Sequence, residues 1–255
     1  MGITRAPVAP NFSSAVVQSR VPFETVIAAP MDLASVFASR VVDAAADARG
    51  RGRALSIVLP GGSVAETFLP VLADAGFDWS AIDVFWGDER AVPRDHPDSN
   101  YRLADELLLA HVSIPTARVH RMPGDAAQLD AGAHAYEAEL IKVLGSPSRF
   151  DIVLLGVGPD GHVCSLFPGH RALEETARRV LAVTDSPKPP AARLTLTLPA
   201  LDDAAIYVAA FGESKAGAIH QALSDESCQL PVALAARRGR SAIFLLDPAA
   251  AAQSS

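Results

Sequence analysis

The sequence predicts an α/β protein with an open, mainly parallel sheet and helices on both faces. Short, mainly apolar runs such as residues 54–59 and 150–155 alternate along the chain with stretches of helical periodicity. Nearly continuous apolar runs are typical of strands buried on both faces, and their alternation with helices is typical of parallel strands joined by crossovers. Hydrophobic residues make up 49% of the chain, which is enough for one large core.

Each element follows from a local pattern. Strands are predicted where the apolar run is continuous, and helices where apolar residues recur three or four positions apart, as in residues 31–48. In chain order, the predicted elements are a strand at 23–28, a helix at 31–48, strands at 54–59 and 82–86 separated by a helix at 64–74, helices at 100–110 and 126–144, strands at 150–155, 180–183 and 204–210, a helix at 214–223 and a last strand at 242–246.

The connecting segments predict the domain organisation. Residues 1–22 carry several prolines and show no periodicity, so we expect an irregular N-terminal segment followed by one α/β domain over residues 23–255. Residues 186–192 contain three prolines and are predicted to form a surface loop. No internal repeat or linker divides the chain.

Composition excludes several classes of protein. The net charge of −7 argues against a general electrostatic grip on nucleic acid or on an anionic membrane. The chain lacks a basic start followed by a long apolar run, and no stretch reaches the ~18 apolar residues of a membrane span, so a cytoplasmic location is expected. Cys164 and Cys228 cannot build a disulfide framework and are expected to be free thiols.

Three polar clusters directly follow predicted strands, at residues 61–63, 87–90 and 156–162. Ligands of open α/β sheets bind beyond the carboxyl ends of the strands. We therefore expect these clusters to converge on one crevice.

The third cluster contains an acid and an imidazole two positions apart, Asp160 and His162, on either side of Gly161. On extended backbone such residues point the same way, so Asp160 would hold one ring nitrogen and leave the other free to act as a general base. A loop histidine bonded only to backbone is the plainer alternative. A metal site needs more ligands than His162 and Cys164 provide, so no metal is expected.

Gly156, Gly158 and Gly161 also match the G-x-G-x-x-G pattern of dinucleotide-binding folds. The match lies past the middle of the chain and places Pro159 and Asp160 where an anionic pyrophosphate would approach. A nicotinamide cofactor is therefore disfavoured, and no cofactor is expected.

The first two clusters offer groups that could bind an anion. Gly61, Gly62 and Ser63 stand at a predicted helix N-terminus, where the helix dipole favours negative charge, although an ordinary glycine turn capped by serine would look the same. Further polar candidates, each unremarkable alone, are Asp88, Glu89, Arg90, Asn100, Arg193 and Lys215.

In combination these segments resemble a known family. The motifs Leu-Pro-Gly-Gly-Ser at 59–63, Trp-Gly-Asp-Glu-Arg at 86–90 with Ser-Asn-Tyr at 99–101, Gly-Val-Gly-Pro-Asp-Gly-His-Val-Cys-Ser-Leu-Phe-Pro at 156–168 and Arg-Leu-Thr-Leu-Thr-Leu-Pro at 193–199 resemble those of 6-phosphogluconolactonases, in collinear order over residues 23–247. The family often has alanine at the position of Cys164, and a compact cysteine is expected to be tolerated there.

The resemblance implies a Rossmann-like sheet of the kind found in sugar-phosphate isomerases and deaminases. It also implies hydrolysis of 6-phospho-D-glucono-1,5-lactone by one catalytic domain, with no cofactor or metal and with a phosphorylated sugar lactone as the partner. His162 and Asp160 would be catalytic. The substrate-binding residues would be Gly61, Gly62, Ser63, Asp88, Glu89, Arg90, Asn100, Gly158, Gly161, Arg193 and Lys215. A monomer is the working expectation, although nothing in the sequence fixes the oligomeric state.

Two alternatives remain open. Hexosamine-phosphate deaminases look similar around the Gly-x-Asp-Gly-His motif but follow it with an Asn-Glu-Pro element, where this chain has Ser165-Leu-Phe-Pro. A sugar-phosphate sensor without turnover would carry a DNA-binding helical module, and no room for one is expected before residue 23.

Overall fold

The computed structural model describes residues 15–16 and 23–252 of the chain, with only the backbone described at 15–16. They form an eight-stranded sheet, a three-stranded sheet and the helices that cover them. The main-sheet strands are β1 (Ala15–Val16), β2 (Glu24–Ile27), β3 (Leu55–Leu59), β4 (Ile82–Trp86), β6 (Val119–His120), β7 (Ile152–Gly156), β10 (Ala205–Ala210) and β11 (Ser241–Leu246). The small sheet contains β5 (Asp88–Arg90), β8 (Val180–Val183) and β9 (Arg193–Leu196).

The main sheet is the predicted open, parallel sheet. Its strand order is β1-β2-β11-β10-β7-β3-β4-β6, and every pairing is parallel except that of β1 with β2. All residues of β3 and β4 are buried, so both faces of the sheet are covered there. Since β7, β3 and β4 are neighbours, the polar clusters that follow them meet at one edge, as predicted.

The helices are α1 (Pro30–Gly50), α2 (Gly62–Ala73), α3 (Asn100–Leu107), α4 (Leu129–Leu144), α5 (Ala216–Ser224) and α6 (Pro231–Arg238). The first five correspond to predicted helices. The predicted helix at 100–110 ends early, because residues 109–111 continue as a 3-10 turn, and α5 likewise begins only after a 3-10 turn at 213–215. No helix among the described residues is long and apolar enough to cross a membrane.

The small sheet and α6 were not predicted. Gly87 ends the apolar run of β4, and its backbone bonds to Leu59 on one side and to Leu196 of β9 on the other, so the chain passes from the main sheet into the small one within a single residue. The strand predicted at 180–183 forms, but it pairs antiparallel with β9. The small sheet therefore stands over the edge where the polar clusters meet.

The prediction of an irregular segment at 1–22 lies mostly outside the described residues; within it, Ala15–Val16 pair antiparallel with β2. The assignment of residues 23–255 to one domain stays a prediction. It is consistent with a chain that moves from the main sheet into the small sheet and back again.

Candidate active site

A cleft of about 240 Å³ lies at the carboxyl ends of β3, β4 and β7, under the small sheet. It brings together most of the residues selected from the sequence. Those that line it are Gly61, Gly62, Ser63, Asp88, Arg90, Asn100, Gly158, His162, Arg193 and Lys215. Asp160 stands directly behind His162, whereas Glu89 and Gly161 do not reach the cleft wall.

The predicted contact between Asp160 and His162 is present, with 2.5 Å between Asp160 Oδ1 and His162 Nδ1. The backbone conformation that brings these two side chains together differs from the prediction. Residues 158–162 form a tight turn rather than extended chain, with Gly161 at φ +80° and its N–H donated to the carbonyl of Gly158. Because a carboxylate accepts and cannot donate, Nδ1 carries the proton. Nε2 has no hydrogen-bond partner among the described residues and is left for the cleft.

Gly158 permits this arrangement by close approach. A Cβ built on Gly158 would stand 1.9 Å from the His162 ring and 2.6 Å from Asp160 Oδ1. Only glycine leaves room for the imidazole at this position. Gly161 has a different role: its carbonyl accepts the N–H of Val232 at the start of α6, and it packs against Leu230. Both glycines shape the loop around His162.

The surroundings of His162 favour its neutral form. Burial lowers the pKa of His162 below its ordinary value, the hydrogen bond and charge of Asp160 oppose that effect, and the charge of Lys188 adds to it. Burial raises the pKa of Asp160, but the hydrogen bond and charge of His162, together with the charge of Lys188, bring it below its ordinary value. A neutral imidazole beside an ionised carboxylate is the state that a general base requires.

The start of α2 forms another part of the cleft wall. Gly61 is the N-cap residue and makes no side-chain cap, so the N–H groups of the first turn, which begins at Gly62 and Ser63, have no side-chain acceptor. Ser63 is exposed and uses its carbonyl, not its hydroxyl, within the helix. Free amides at the positive end of a helix attract an anion.

Asp88 and Asn100 build a buried polar network on the floor of the cleft. Asp88 Oδ2 accepts the hydroxyl of Ser165 at 2.6 Å, and Asn100 Nδ2 donates to Asp88 Oδ1 at 3.0 Å. The remaining amide oxygen of Asn100 is buried without a partner in the described chain. A Cβ on Gly61 would stand 2.0 Å from that oxygen, so glycine is needed here as well. Asn100 therefore offers one free acceptor.

Glu89 supports α3 and does not line the cleft. It is 3% exposed, and its carboxylate accepts the N–H groups of Arg90, Asn100 and Tyr101 and the hydroxyl of Ser99. Burial raises the pKa of Glu89, and the backbone N–H groups oppose that shift. The predicted substrate contact has no geometric support, because both carboxylate oxygens are engaged within the protein.

The two arginines of the site differ in what they leave free. Arg90 Nη1 donates to the carbonyl of Asp98 at 2.7 Å, and its Nε is buried without a partner among the described residues. Arg193 is 5% exposed, and its guanidinium donates to the carbonyls of residues 188, 189 and 190 and to Ser165 Oγ. Arg193 thus binds the 186–192 loop, and few donors remain for a ligand.

Lys188 was missed by the sequence analysis. It stands in the proline-rich segment predicted as a surface loop, yet it lines the cleft, with Nζ 3.3 Å from His162 Nδ1. The chain has only three lysines, and two of them, Lys188 and Lys215, line the cleft, so the rarity of lysine was a usable signal. Burial and the charge of Lys188 lower the pKa of Lys215. In an acidic protein, this local concentration of cations is suited to attract an anion.

Within the described residues, no three His, Cys, Asp or Glu side chains are grouped to hold a metal ion. Cys164 lines the cleft, and burial raises the pKa of its thiol well above the ordinary value, so the sulfur stays protonated. The expectation of a metal-free and cofactor-free reaction stays a prediction.

Fold and site together define an α/β protein with an oriented acid–imidazole pair facing a cationic cleft. Residues 28–244 match the family model described as glucosamine-6-phosphate isomerases/6-phosphogluconolactonase. A protein of Streptomyces coelicolor named 6-phosphogluconolactonase is 40% identical over 236 residues, covering 87% of this chain and 90% of that protein. The chain belongs to the glucosamine-6-phosphate isomerase/6-phosphogluconolactonase family.

Solved structures agree with that assignment. The structure described as 6-phosphogluconolactonase from Trypanosoma cruzi superposes with a TM-score of 0.81 at 28% identity, covering 93% of this chain and 98% of that one. A monomeric glucosamine-6-phosphate deaminase gives a TM-score of 0.72 at 21% identity, over 90% of this chain and 98% of that one. That second likeness shows the shared fold alone.

Proposed function

We propose that this protein hydrolyses 6-phospho-D-glucono-1,5-lactone to 6-phospho-D-gluconate, a step of the oxidative pentose phosphate pathway. It is a lactone-hydrolysing enzyme. The observation that carries the proposal is the His162–Asp160 pair, with one ring nitrogen directed to a cleft whose wall also includes an uncapped helix N-terminus. The curated relative at 40% identity bears the name of this activity.

In the proposed reaction, Nε2 of His162 takes a proton from a water molecule as the water oxygen attacks the lactone carbonyl. Asp160 holds the proton on Nδ1 and stabilises the imidazolium that forms. The tetrahedral intermediate then collapses as the bond between the carbonyl carbon and the ring oxygen breaks, and His162 returns the proton to that oxygen. The product is an open-chain acid, which ionises at neutral pH.

We place the phosphate of the substrate at the start of α2, against the N–H groups of Gly62 and Ser63, with Lys215 as the cation and Arg90 Nε as a further donor. Arg193 contributes through the loop that it holds. The amide oxygen of Asn100 is positioned to accept a sugar hydroxyl. These roles use the groups that the protein itself leaves unpaired.

The decisive assay follows the loss of the lactone made freshly from glucose 6-phosphate, with spontaneous hydrolysis subtracted. The purified protein is expected to accelerate that loss and to release no ammonia from glucosamine 6-phosphate. Ammonia release without lactone hydrolysis would make the protein a deaminase. Binding of both compounds without turnover would make it a sensor.

A further inference from the structure

A lysine distant in sequence stands beside the acid–imidazole pair. Lys188 Nζ lies 3.3 Å from His162 Nδ1 and 3.6 Å from Asp160 Oδ1. The first distance does not represent a hydrogen bond to the ring, because Nδ1 carries the proton that it donates to Asp160 at 2.5 Å. The ammonium is therefore a counter-ion of Asp160 and a positive charge next to the imidazole.

The backbone of Lys188 is held by hydrogen bonds. Its N–H donates to Ser186 Oγ, and its carbonyl accepts both that hydroxyl and Nη2 of Arg193. Arg193 is buried, lies 3.8 Å from the carboxylate of Asp88 and has its guanidinium 5.9 Å from the ring centre of Phe167. Arg193, which reaches the floor of the cleft, thus holds the 186–192 loop in place.

The charges around His162 oppose one another. Asp160 and Asp88 favour the protonated ring, whereas Lys188 disfavours it. Lys215 is the next cation, close enough to interact with Lys188 and with Asp160. Two carboxylates facing an imidazole raise its pKa, so that at a given pH a smaller fraction of the ring is neutral and able to accept a proton from water. Burial of the ring and the ammonium of Lys188, 3.3 Å from Nδ1, both offset that effect.

We infer that Lys188 is a positioning residue which, through its charge, keeps the imidazole of His162 in the neutral, proton-accepting form. The inference rests on the proposed function only in the use of His162 as a base. Arg193 takes part indirectly, because its contacts with the loop carbonyls hold the lysine against the pair. According to this inference, the 186–192 loop, which was predicted to be a surface loop, is part of the catalytic apparatus.

The test is an NMR titration of the His162 ring in the free protein, with the signal assigned by its absence from His162→Gln. Lys188→Gln and Lys188→Met remove the charge, and both are expected to move the titration midpoint upward by about one pH unit. Lys188→Arg keeps a cation and is expected to stay close to wild type. Lys142→Gln, which removes an exposed lysine of α4, is the matched control and should leave the midpoint unchanged.

A second measurement is the pH profile of kcat/KM. Its acidic limb should shift together with the titration midpoint, both for the phosphorylated lactone and for unphosphorylated gluconolactone. An unmoved midpoint in both neutral variants would overturn the inference. A raised KM for the phosphorylated substrate alone, with an unmoved limb, would make Lys188 a phosphate ligand instead. Because the ring titration needs no substrate, failure of the proposed function appears separately, as wild-type protein that does not hydrolyse the lactone.

Discussion

At the scale of single residues, the site depends on which polar atoms the protein leaves unpaired. His162 has one nitrogen held by Asp160 and the other directed to the cleft, while its ring packs against Phe167 with centroids 4.7 Å apart. The side chain of His162 is 17% exposed and lines the cleft. This combination of a fixed ring and a single open nitrogen is what general-base catalysis requires.

His162→Ala should therefore lower kcat on the phosphorylated lactone by about 10²–10⁴-fold, the usual contribution of positioned acid–base catalysis. Affinity for 6-phosphogluconate should change little, because the proposed phosphate groups lie on α2 and at Lys215. Steady-state kinetics with subtraction of the spontaneous reaction give the first quantity, and calorimetry gives the second. A variant with near-wild-type kcat would transfer the role of base to another group, such as Asp160.

Lys215→Ala should reduce activity on a phosphorylated substrate more than on an unphosphorylated one. A charge-assisted contact contributes about 1.5–3 kcal/mol, so kcat/KM for the phosphorylated lactone should fall roughly 10–150-fold. Hydrolysis of unphosphorylated gluconolactone should change far less. Arg193→Ala is the informative comparison, since its contacts with the 186–192 loop predict similar losses on both substrates. Equal losses for Lys215→Ala would remove Lys215 from the phosphate site.

At the scale of elements, α3 depends on a buried carboxylate from the neighbouring strand. Glu89 of β5 accepts N–H groups at the first two positions of α3, Asn100 and Tyr101, and thereby holds Asn100 against Asp88. Ser99 caps the same helix by accepting the N–H of Arg102. Glu89, a charged residue that follows a strand, thus stabilises the start of α3 instead of facing solvent.

Glu89→Ala should destabilise the fold. The substitution leaves three N–H groups without their acceptor, each at a cost of about 1–3 kcal/mol, so a loss of at least about 3 kcal/mol in the free energy of unfolding is expected. Glu89→Gln should also destabilise, because its NH₂ would face N–H donors. Urea denaturation measures both, with exposed Glu66 of α2 changed to alanine as the control. Unchanged stability in Glu89→Ala would show that water replaces the carboxylate.

The elements also show where sequence patterns were sufficient. Strands such as β3, β4, β7, β10 and β11 were predictable because they are mainly apolar runs, and α1 because its apolar residues recur over several turns, whereas the two-residue strand β6 was not predicted. The helix α6 was missed, although Pro231 at its first position and Arg237 and Arg238 in its last turn are ordinary start and stop signals. It has eight residues, as few as α3, but lacks a polar N-cap residue such as the Ser99 that precedes α3.

The site was predictable only in part, because several of its contacts depend on the tertiary fold. Glycines and charged residues after strands located the cleft, but no local pattern tells a buried carboxylate such as Glu89 from a solvated one. Lys188 lies 26 residues from His162 and reaches it through a loop whose course is set by Arg193. Contacts of that kind depend on the tertiary fold, and the sequence shows only the residue types.

At the scale of the whole molecule, the cleft joins the two sheets. The main sheet supplies the loops after β3 and β7, with Gly62 and His162, whereas the small sheet supplies Asp88, Arg90 and Arg193. Within the described residues, the chain crosses between the sheets four times: at Gly87, between β5 and β6, between β7 and β8, and between β9 and β10. A ligand in the cleft contacts both sheets, so its binding free energy should stabilise them together.

Binding of 6-phosphogluconate should accordingly raise the melting temperature of a single unfolding transition. At a concentration of about 100 Kd, a ligand that binds only the folded state adds about 2.7 kcal/mol, which corresponds to a shift of roughly 5–10 °C for a chain of this size. Unphosphorylated gluconate should shift it far less, and Lys142→Gln should behave as wild type. Differential scanning calorimetry tests whether the two sheets unfold together. Two transitions, only one of which shifts with the ligand, would mean that the sheets unfold independently and that the ligand binds to one of them alone.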